Sequence, residues 1–565
     1  MARPVWRVGI GGLDPVQSAE DLRTLLCRQR GIDEASASFF QPEYETAIHD
    51  PYLLFGMQEA VDRIYFAIKK GQRILVYGDY DADGVTSSAI LVSTVQELGA
   101  SVFPYLPHRM DDGYGLNQHV LERLLPEIDL VISVDCGVAN VNEIAWLKKK
   151  GKDTIVVDHH EMAAELPPAR VVLHPRHPQG KYPWGYLCGA GMAWKLCQAL
   201  LRDRRSGFAE DRDKEKWLLD LVLLGTVADV MPLLDENRAI ARFGLMVLQL
   251  ERRPGLKALL NALRISGKEL GLEDVGYKIV PRLNAPGRLE HAQPALELLL
   301  ATDRNSAERQ VAILESYNTK RQSISRRIAK EAEAQVVADS PVVFAFEASW
   351  PAGVVGLVAG QLARKFNRPA VVVGSNGRHA VGSARSPKGH NILHILEAGR
   401  EHLLALGGHA QAAGFSVKEE LVNHFHRAIV QSPIHDKNQS FEEEVRADAV
   451  VGESLLHRDT AALIERFGPF GEGNAEPMLI VRSLPLLKAT IVGKKQEHAK
   501  FIFGAQTRLD AIGFGLAPKA ALLGNTVDVV GSLGIDRFFG SPRLQLKVKD
   551  IISAGKVTIK ETVLA

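Results

Sequence analysis

Short apolar runs alternate with amphipathic stretches through the first third of the chain. Ile74-Leu75-Val76, Leu130–Val134 and Ile155-Val156-Val157 are nearly continuous in apolar residues, and helix-length segments separate them. The pattern predicts a helix over 57–70, then strand 73–77, helix 85–98, strand 101–105, helix 117–125, strand 129–134, helix 139–150, strand 154–157 and a strand at 170–173. Strands that are apolar on both faces and joined by helices specify a mainly parallel sheet covered on both sides. Residues 1–50 read as mixed helix and loop. From about 186 to 265 helix dominates, and a loop carrying Arg282, Asn284, Pro286, Gly287 and Arg288 follows. Residues 303–338 contain no Pro or Gly and predict one long polar-faced helix. At about 36 residues it would reach roughly 54 Å, so it reads as a connector between two lobes with a solvated face. A second α/β unit begins near 340, with strand 341–346, helix 354–366 and strand 370–373. Beyond about 440 the pattern turns to strands, at 444–450, 478–482, 486–493, 500–505, 509–514, 526–534 and 543–551, as in a small closed barrel of oligonucleotide-binding type.

The expected fold class is therefore α/β: two α/β lobes, the first with a mainly parallel sheet, joined by a long helix and followed by a C-terminal OB-like β-barrel. The expected boundaries are an N-terminal segment 1–50, a first lobe with its helical extension 51–300, the long helix 301–338, the second lobe 339–435 and the barrel 440–565. A chain of 565 residues is too long for one core, which agrees with this division. Hydrophobic content of 46% and charged content of 24% are ordinary for a globular protein. The formal charge of +1 excludes nothing, because a basic groove and an acidic cleft cancel in the sum. Cys27, Cys136, Cys188 and Cys197 form no C-x-x-C pair, which suits a reducing compartment better than a disulfide scaffold. The start lacks a signal-like apolar stretch, and no run approaches about 18 apolar residues, so a cytoplasmic protein that does not engage a membrane is expected.

Candidate chemistry collects where the apolar runs end. Tyr77-Gly78-Asp79-Tyr80-Asp81-Ala82-Asp83-Gly84 follows the first, Asp135-Cys136-Gly137 the second and Asp158-His159-His160 the third. In open α/β sheets the ligand crevice lies at the carboxyl edge of the strands. Asp81 and Asp83 are spaced to serve two neighbouring cations, and Asp135 is placed to bridge them. His159 offers a nitrogen ligand that Asp158 would orient. Asp229 ends the apolar segment Gly225-Thr226-Val227-Ala228, where an uncompensated charge would be costly. Mixed carboxylate and imidazole donors favour two Mn²⁺ ions, with Mg²⁺ as the alternative, about 3.5–4 Å apart and acting on a phosphodiester. A calcium loop is disfavoured, because its twelfth position counted from Asp79 is Ile90 rather than Glu. A Rossmann site is disfavoured because acids occupy the first turn, and no Gly-x-Ser-x-Gly elbow accompanies Asp158-His159. Cys136 reads as apolar filler.

These motifs resemble those of the DHH phosphoesterase superfamily. Together with Arg109–Leu116, Gly225–Asp229, Arg282–Leu289 and Gly407-Gly408-His409-Ala410-Gln411-Ala412-Ala413-Gly414, they resemble the bacterial single-strand exonucleases of the RecJ family. The resemblance covers nearly the whole chain and makes the first lobe a DHH domain and the second a DHHA1-like one. It implies 5′-to-3′ hydrolysis of single-stranded DNA to 5′-mononucleotides in recombination and mismatch repair. A single-strand binding protein and a repair helicase are the implied partners, and the chain is expected to act as a monomer. It also implies metal ligation by Asp81, Asp83, Asp135, His159 and Asp229 with Asp79 close by, Asp158 supporting the histidines, and His160 on the scissile phosphate. Arg109, Ser383 and Arg385 would receive the 5′ phosphate, His409 another phosphate contact, and Tyr114, Arg282, Asn284 and Arg288 complete the DNA-binding set. Tyr77 stands where many superfamily members carry histidine, and Pro286 where alanine is usual. Two rival readings are an oligonucleotide or cyclic-dinucleotide phosphodiesterase and a non-catalytic single-strand-binding scaffold.

Overall fold

The computed structural model describes residues 5–162, 164–387, 389–431, 445–504, 508–537 and 542–563. They form two compact units, one of residues 49–231 and 235–442, the other of 1–48, 232–234 and 443–565. Strand β1 (Val5–Gly9) belongs to the second of these.

The first unit holds both α/β lobes. Its first sheet comprises β2 (Arg73–Tyr77), β3 (Ser101–Tyr105), β4 (Leu130–Val134), β5 (Asp153–Val157) and β6 (Val171–Leu173), all parallel, in the order β3-β2-β4-β5-β6. Every residue of β4 and β6 is buried, because helices cover both faces, and Ser133 is the one polar side chain among them. On one face Leu75, Val131, Val156, Leu121, Ile144 and Leu147 share a core. From β2 the chain crosses to β3 on one side, then returns to β4 on the other. The connections diverge between β2 and β4, opening a crevice at their carboxyl ends. The acids after those two strands therefore meet.

The second lobe is a mixed sheet of β7 (Val343–Pro351), β8 (Ala370–Ser375), β9 (Ala380–Arg385), β10 (Leu403–His409) and β11 (Ala412–Val417), in the order β10-β11-β9-β8-β7. Only β7 and β8 are parallel. Ser383 and Arg385 lie two apart on β9, so they project from the same face, whose residues are half-buried. The glycine-rich segment Gly407–Gly414, which glycine content alone would make a loop, forms the hairpin of β10 and β11.

Two expectations about helices need correction. Arg282, Asn284 and Arg288 lie not on a loop but on the helix Val280–Leu289, with Pro286 inside it. The long helix is Arg304–Glu333, 30 residues, or about 45 Å. It is not a free connector, since Ala307, Leu314, Asn318 and Ile328 are buried.

In the other unit, β14 (Leu479–Val492), β15 (His498–Gly504), β16 (Arg508–Gly513), β18 (Arg543–Ser553) and β17 (Thr526–Asp536) pair in that order, and β17 closes on β14. The result is a five-stranded barrel, with the short β13 (Ala449–Val451) added beside β14. Sequence patterning divides β14 in two, because Ser483, Leu484 and Pro485 resemble a turn; the strand runs on through a register shift between Val481 and Leu484. Along β18 exposed Lys547 and Lys549 alternate with buried Leu546 and Val548. Phe538 and Phe539, which with Arg537 and Arg543 mix aromatic and basic residues as single-strand binders do, lie outside the described residues. The N-terminal segment carries a strand where helix and loop were expected: β1 pairs in parallel with β12 (Val445–Ala447) and β19 (Thr558–Thr562). Leu22, Leu25 and Leu26 of its helix Ala19–Gln29 enter the barrel core.

Candidate metal centre

Each acid reaches the crevice for a local reason. The helix Ala82–Glu97 begins straight after β2, and its N-cap Asp81 accepts from the N–H groups of Asp83 and Gly84 at 2.9 and 3.0 Å. Ala82 donates its own N–H to Oδ1 of Asn284 at 3.0 Å, so the helix Val280–Leu289 braces the same turn. Asp83 points inward, accepting from Gly189 N–H at 2.7 Å and Ala190 N–H at 2.9 Å, the first residues of the helix Gly189–Arg202. A carboxylate buried without such donors would cost several kcal/mol, and a helix N-terminus supplies both. Two glycines make room for the approach. A Cβ on Gly189 would lie 2.5 Å from Oδ1 of Asp135, and one on Gly225 would lie 2.3 Å from Oδ1 of Asp83.

After β4 the chain turns through Asp135 at φ 59°, a left-handed conformation that aspartate tolerates better than most residues. After β5, Asp158 is nearly enclosed. One oxygen accepts from Val138 N–H at 2.9 Å; the other accepts from His159 N–H at 2.8 Å and from the His160 ring at 2.8 Å. The imidazole Nε2 of His159 stands 3.1 Å from Asp135, 3.8 Å from Asp83 and 3.7 Å from Asp229. Asp79, Asp81 and Asp135 form a second, overlapping group. One oxygen of Asp79 is buried with no hydrogen-bond partner.

This is a charge arrangement that needs a cation. Burial and then the Asp83 carboxylate push Asp135 well above the carboxylate range, and burial and then Asp81 do the same to Asp79. Burial and Asp81 lift Asp83 to about 6; burial and Asp83 lift Asp229 to about 8. Burial with the neighbouring His160 lowers His159 to about 3, leaving it a neutral imidazole suited to ligation. Hard oxygen donors, one neutral imidazole and a bare buried carboxylate oxygen fit Mn²⁺ or Mg²⁺.

His160 differs from His159. Although burial opposes it, the bond to Asp158 raises His160 to about 9. Despite burial, that same bond and the His160 charge hold Asp158 down at about 2. With Nδ1–H held by Asp158, the other ring nitrogen is free to donate. The Tyr114 hydroxyl lies 3.1 Å from Nδ1.

A second cluster is basic. Arg109 lies over the Tyr80 ring, 5.0 Å from its centroid. Burial and then Arg109 lower Arg288 to about 10, and burial and Arg109 also lower Arg385. Arg385 donates to Ser383 Oγ at 3.0 Å. These three guanidinium groups lie close enough to repel one another, a concentration of positive charge that favours an anion.

The remaining expectations are distributed differently. Arg282 is engaged by Glu315 and by the Lys278 carbonyl rather than joining the arginine pocket. His409 ends β10, exposed, and its Nδ1 accepts from Gln411 N–H at 3.4 Å. Cys136 is fully buried, its thiol 3.7 Å from the Tyr77 carbonyl. Sequence reasoning missed the Gly189 and Ala190 donors, for which the small-residue run Cys188-Gly189-Ala190-Gly191 was the available signal. It also missed His174, buried and donating to the His160 carbonyl at 2.8 Å.

Family models match three parts of the chain: the N-terminal domain of the DHH family over residues 73–226, the DHHA1 domain over 339–432 and the RecJ OB domain over 447–550. The single-stranded-DNA-specific exonuclease RecJ of Bacillus subtilis is 36% identical over 95% of this chain and 70% of its own length. That of Haemophilus influenzae is 32% identical over 88% of this chain and 91% of its own. The chain belongs to the RecJ family. RecJ of Thermus thermophilus in complex with Mn²⁺ superposes with a TM-score of 0.80 at 28% identity, covering 98% of this chain and 80% of that one. RecJ from the same organism has also been solved with Mg²⁺, at a TM-score of 0.73 and 26% identity, over 98% of this chain and 79% of that one.

The raised carboxyl of Asp229 ties stability to pH. Asp229 titrates near 8 in the folded, metal-free protein and near 3.9 unfolded. The folded state thus holds the proton more tightly, and its contribution to stability, complete below the unfolded value, is lost as pH rises through the folded one. Metal-free Asp229→Asn should therefore melt increasingly above the wild type from about pH 4 to 8. With Mn²⁺ present the order should reverse, since a ligand is gone. Thermal melts with chelator and with Mn²⁺ check both halves; a gap independent of pH would refute the assignment.

Proposed function

We infer that the protein is a divalent-metal-dependent exonuclease that hydrolyses single-stranded DNA from the 5′ end and releases 5′-mononucleotides. The observation that carries this reading is the clustering of acids and imidazoles at the carboxyl edge of the first sheet, with Arg109 after β3 close to Arg288 of the helix Val280–Leu289 and Arg385 of the second lobe. Asp81, Asp83, Asp135, His159 and Asp229, with Asp79 close by, would hold the two cations, Mn²⁺ in preference to Mg²⁺. When bound, these supply Lewis acidity to the phosphoryl oxygens and acidify the attacking water.

The chain's own residues account for the rest. Arg109, Arg288 and Arg385, with the Ser383 hydroxyl, receive the terminal phosphate and set the distance to the next phosphodiester. His160 remains protonated at neutral pH, and its free N–H donates to the scissile phosphate as charge builds there. Asp158 fixes that ring through Nδ1. Asn284 holds the turn that presents Asp81, and Tyr114 guards the outer side of His160. Arg282 acts indirectly, by steadying its helix, and His409 contributes a further phosphate contact.

As in the family, the expected setting is recombination and mismatch repair in the cytoplasm. The expected partners are a single-strand binding protein and a repair helicase, with the chain acting as a monomer. Among the described residues no helix is long and apolar enough to cross a membrane. The decisive experiment uses metal-loaded protein and two labelled strands, one with its 5′ end closed in a hairpin and one with its 3′ end so closed. Release only from the free 5′ end is expected; equal release from a free 3′ end would overturn the polarity.

A further inference from the structure

We propose that Trp184 and Tyr186, together with Arg176, form a platform on which bases of the single strand stack on the 3′ side of the bond that is cut. This rests on the exonuclease reading above. At the carboxyl edge of the first sheet the strands run in the order β3-β2-β4-β5-β6. Arg109 follows β3, the acids 79–83 follow β2, Asp135 follows β4, Asp158-His159-His160 follow β5, and Arg176 follows β6. Neighbouring strands are about 4.8 Å apart, so the edge from β3 to β6 spans roughly 19 Å. With the terminal phosphate held at the β3 end and the scissile bond over β2 and β4, the strand continues over β5 and β6.

The chain beyond β6 is built for that continuation. Arg176 is exposed, reaching the His159 carbonyl at 3.4 Å and the Glu161 carboxylate at 3.1 Å. A Cβ on Gly185 would lie 3.1 Å from the Arg176 side chain, so the segment Trp184-Gly185-Tyr186 packs directly on it. The Tyr186 carbonyl accepts from the Asn237 amide at 2.6 Å, which pins the segment from its other side. Three residues later, Gly189 N–H holds Asp83. The aromatic segment is thus tied at one end to His159 and at the other to Asp83. Its two rings sit 5.2 Å apart at 59°, with Trp184 half-buried and Tyr186 54% exposed. The Trp184 indole N–H is buried without an acceptor. An exposed Tyr186 ring backed by the half-buried Trp184, on a pinned backbone packed against the stem of Arg176, offers what sequence-tolerant base stacking requires. A segment serving only to cover the core would turn the Tyr186 ring inward.

The test uses the full chain with Tyr186→Ala, Trp184→Ala and Tyr186→Phe. Strands carry 2-aminopurine at the third or the tenth position from a 5′ phosphate, with Ca²⁺ in place of Mn²⁺ to observe binding without cleavage. Wild type and Tyr186→Phe should quench the third-position probe on binding, and the alanine variants should not. With Mn²⁺, KM for a 20-nucleotide strand should rise about ten-fold in Tyr186→Ala, the expected cost of one lost stack. The loss on a dinucleotide should be smaller, because that substrate ends before the platform. Equal quenching in all variants, or a fall in kcat alike on both lengths, would overturn the proposal in favour of a structural segment or a protein-docking face. If wild type releases no nucleotide yet the quenching difference persists, the platform stands and the exonuclease reading falls.

Discussion

Asp135→Asn is expected to lower Mn²⁺-dependent nucleotide release by about 1,000-fold or more, equivalent to about 4 kcal/mol of lost transition-state stabilisation, and to raise the melting temperature of the metal-free protein. The two effects share one cause. Asp135 is 2% exposed, and its carboxyl is pushed far upward by burial and by Asp83. It belongs to two of the three ligand groups at the crevice. Without a cation its charge is a liability, and with one it is a ligand between the two groups. Asparagine is the informative replacement, because it keeps the shape and tolerates φ 59°, whereas alanine would add backbone strain to the loss of charge. Release of mononucleotide from a uniformly labelled strand measures the first effect. Melting curves with chelator and with Mn²⁺ measure the second. Saturation at about 100 times the dissociation constant should add about 2.7 kcal/mol to the wild type and much less to the variant. Activity within about ten-fold of wild type, a barrier change of only about 1.4 kcal/mol, would remove Asp135 from the ligand set.

Removing the 5′ phosphate from the substrate should lower kcat/KM by about 100-fold, the worth of one or two charge-assisted hydrogen bonds. In Arg385→Ala the phosphorylated and dephosphorylated strands should become nearly equivalent. Arg109, Arg288 and Arg385 are held against mutual repulsion, and burial adds to it. An incoming phosphate would offset the cost of both at once. Ser383, bonded to Arg385 at 3.0 Å, fixes the guanidinium plane. Arg385→Lys should rescue little, since an ammonium cannot reproduce the planar fork. Paired kinetics on the two substrates in both variants check this as a cycle. A phosphate effect that survives in Arg385→Ala would place the 5′ end elsewhere.

The sequence by itself determined the first sheet and most of its chemistry. Apolar runs bounded by acids are local signals, and parallel topology then forces their carboxyl ends to one edge. Asp81, Asp83, Asp135, Asp158, His159 and His160 were legible for that reason, Asp229 from the cost of a charge ending an apolar segment, and the resemblance to known exonucleases added Arg109, Ser383 and Arg385. Local pattern failed where the deciding partner is distant. Arg282, Asn284 and Arg288 looked like a loop because Pro286 and Gly287 break helical propensity; packing against the long helix and the turn at Ala82 overrides it. β1 was missed because its partners, β12 and β19, lie more than 400 residues away. Only the tertiary structure decided which carboxylate would meet a helix N-terminus and which histidine would stay charged. Both depend on burial and on neighbours supplied by other strands, and neither quantity is encoded in the spacing of residues along the chain.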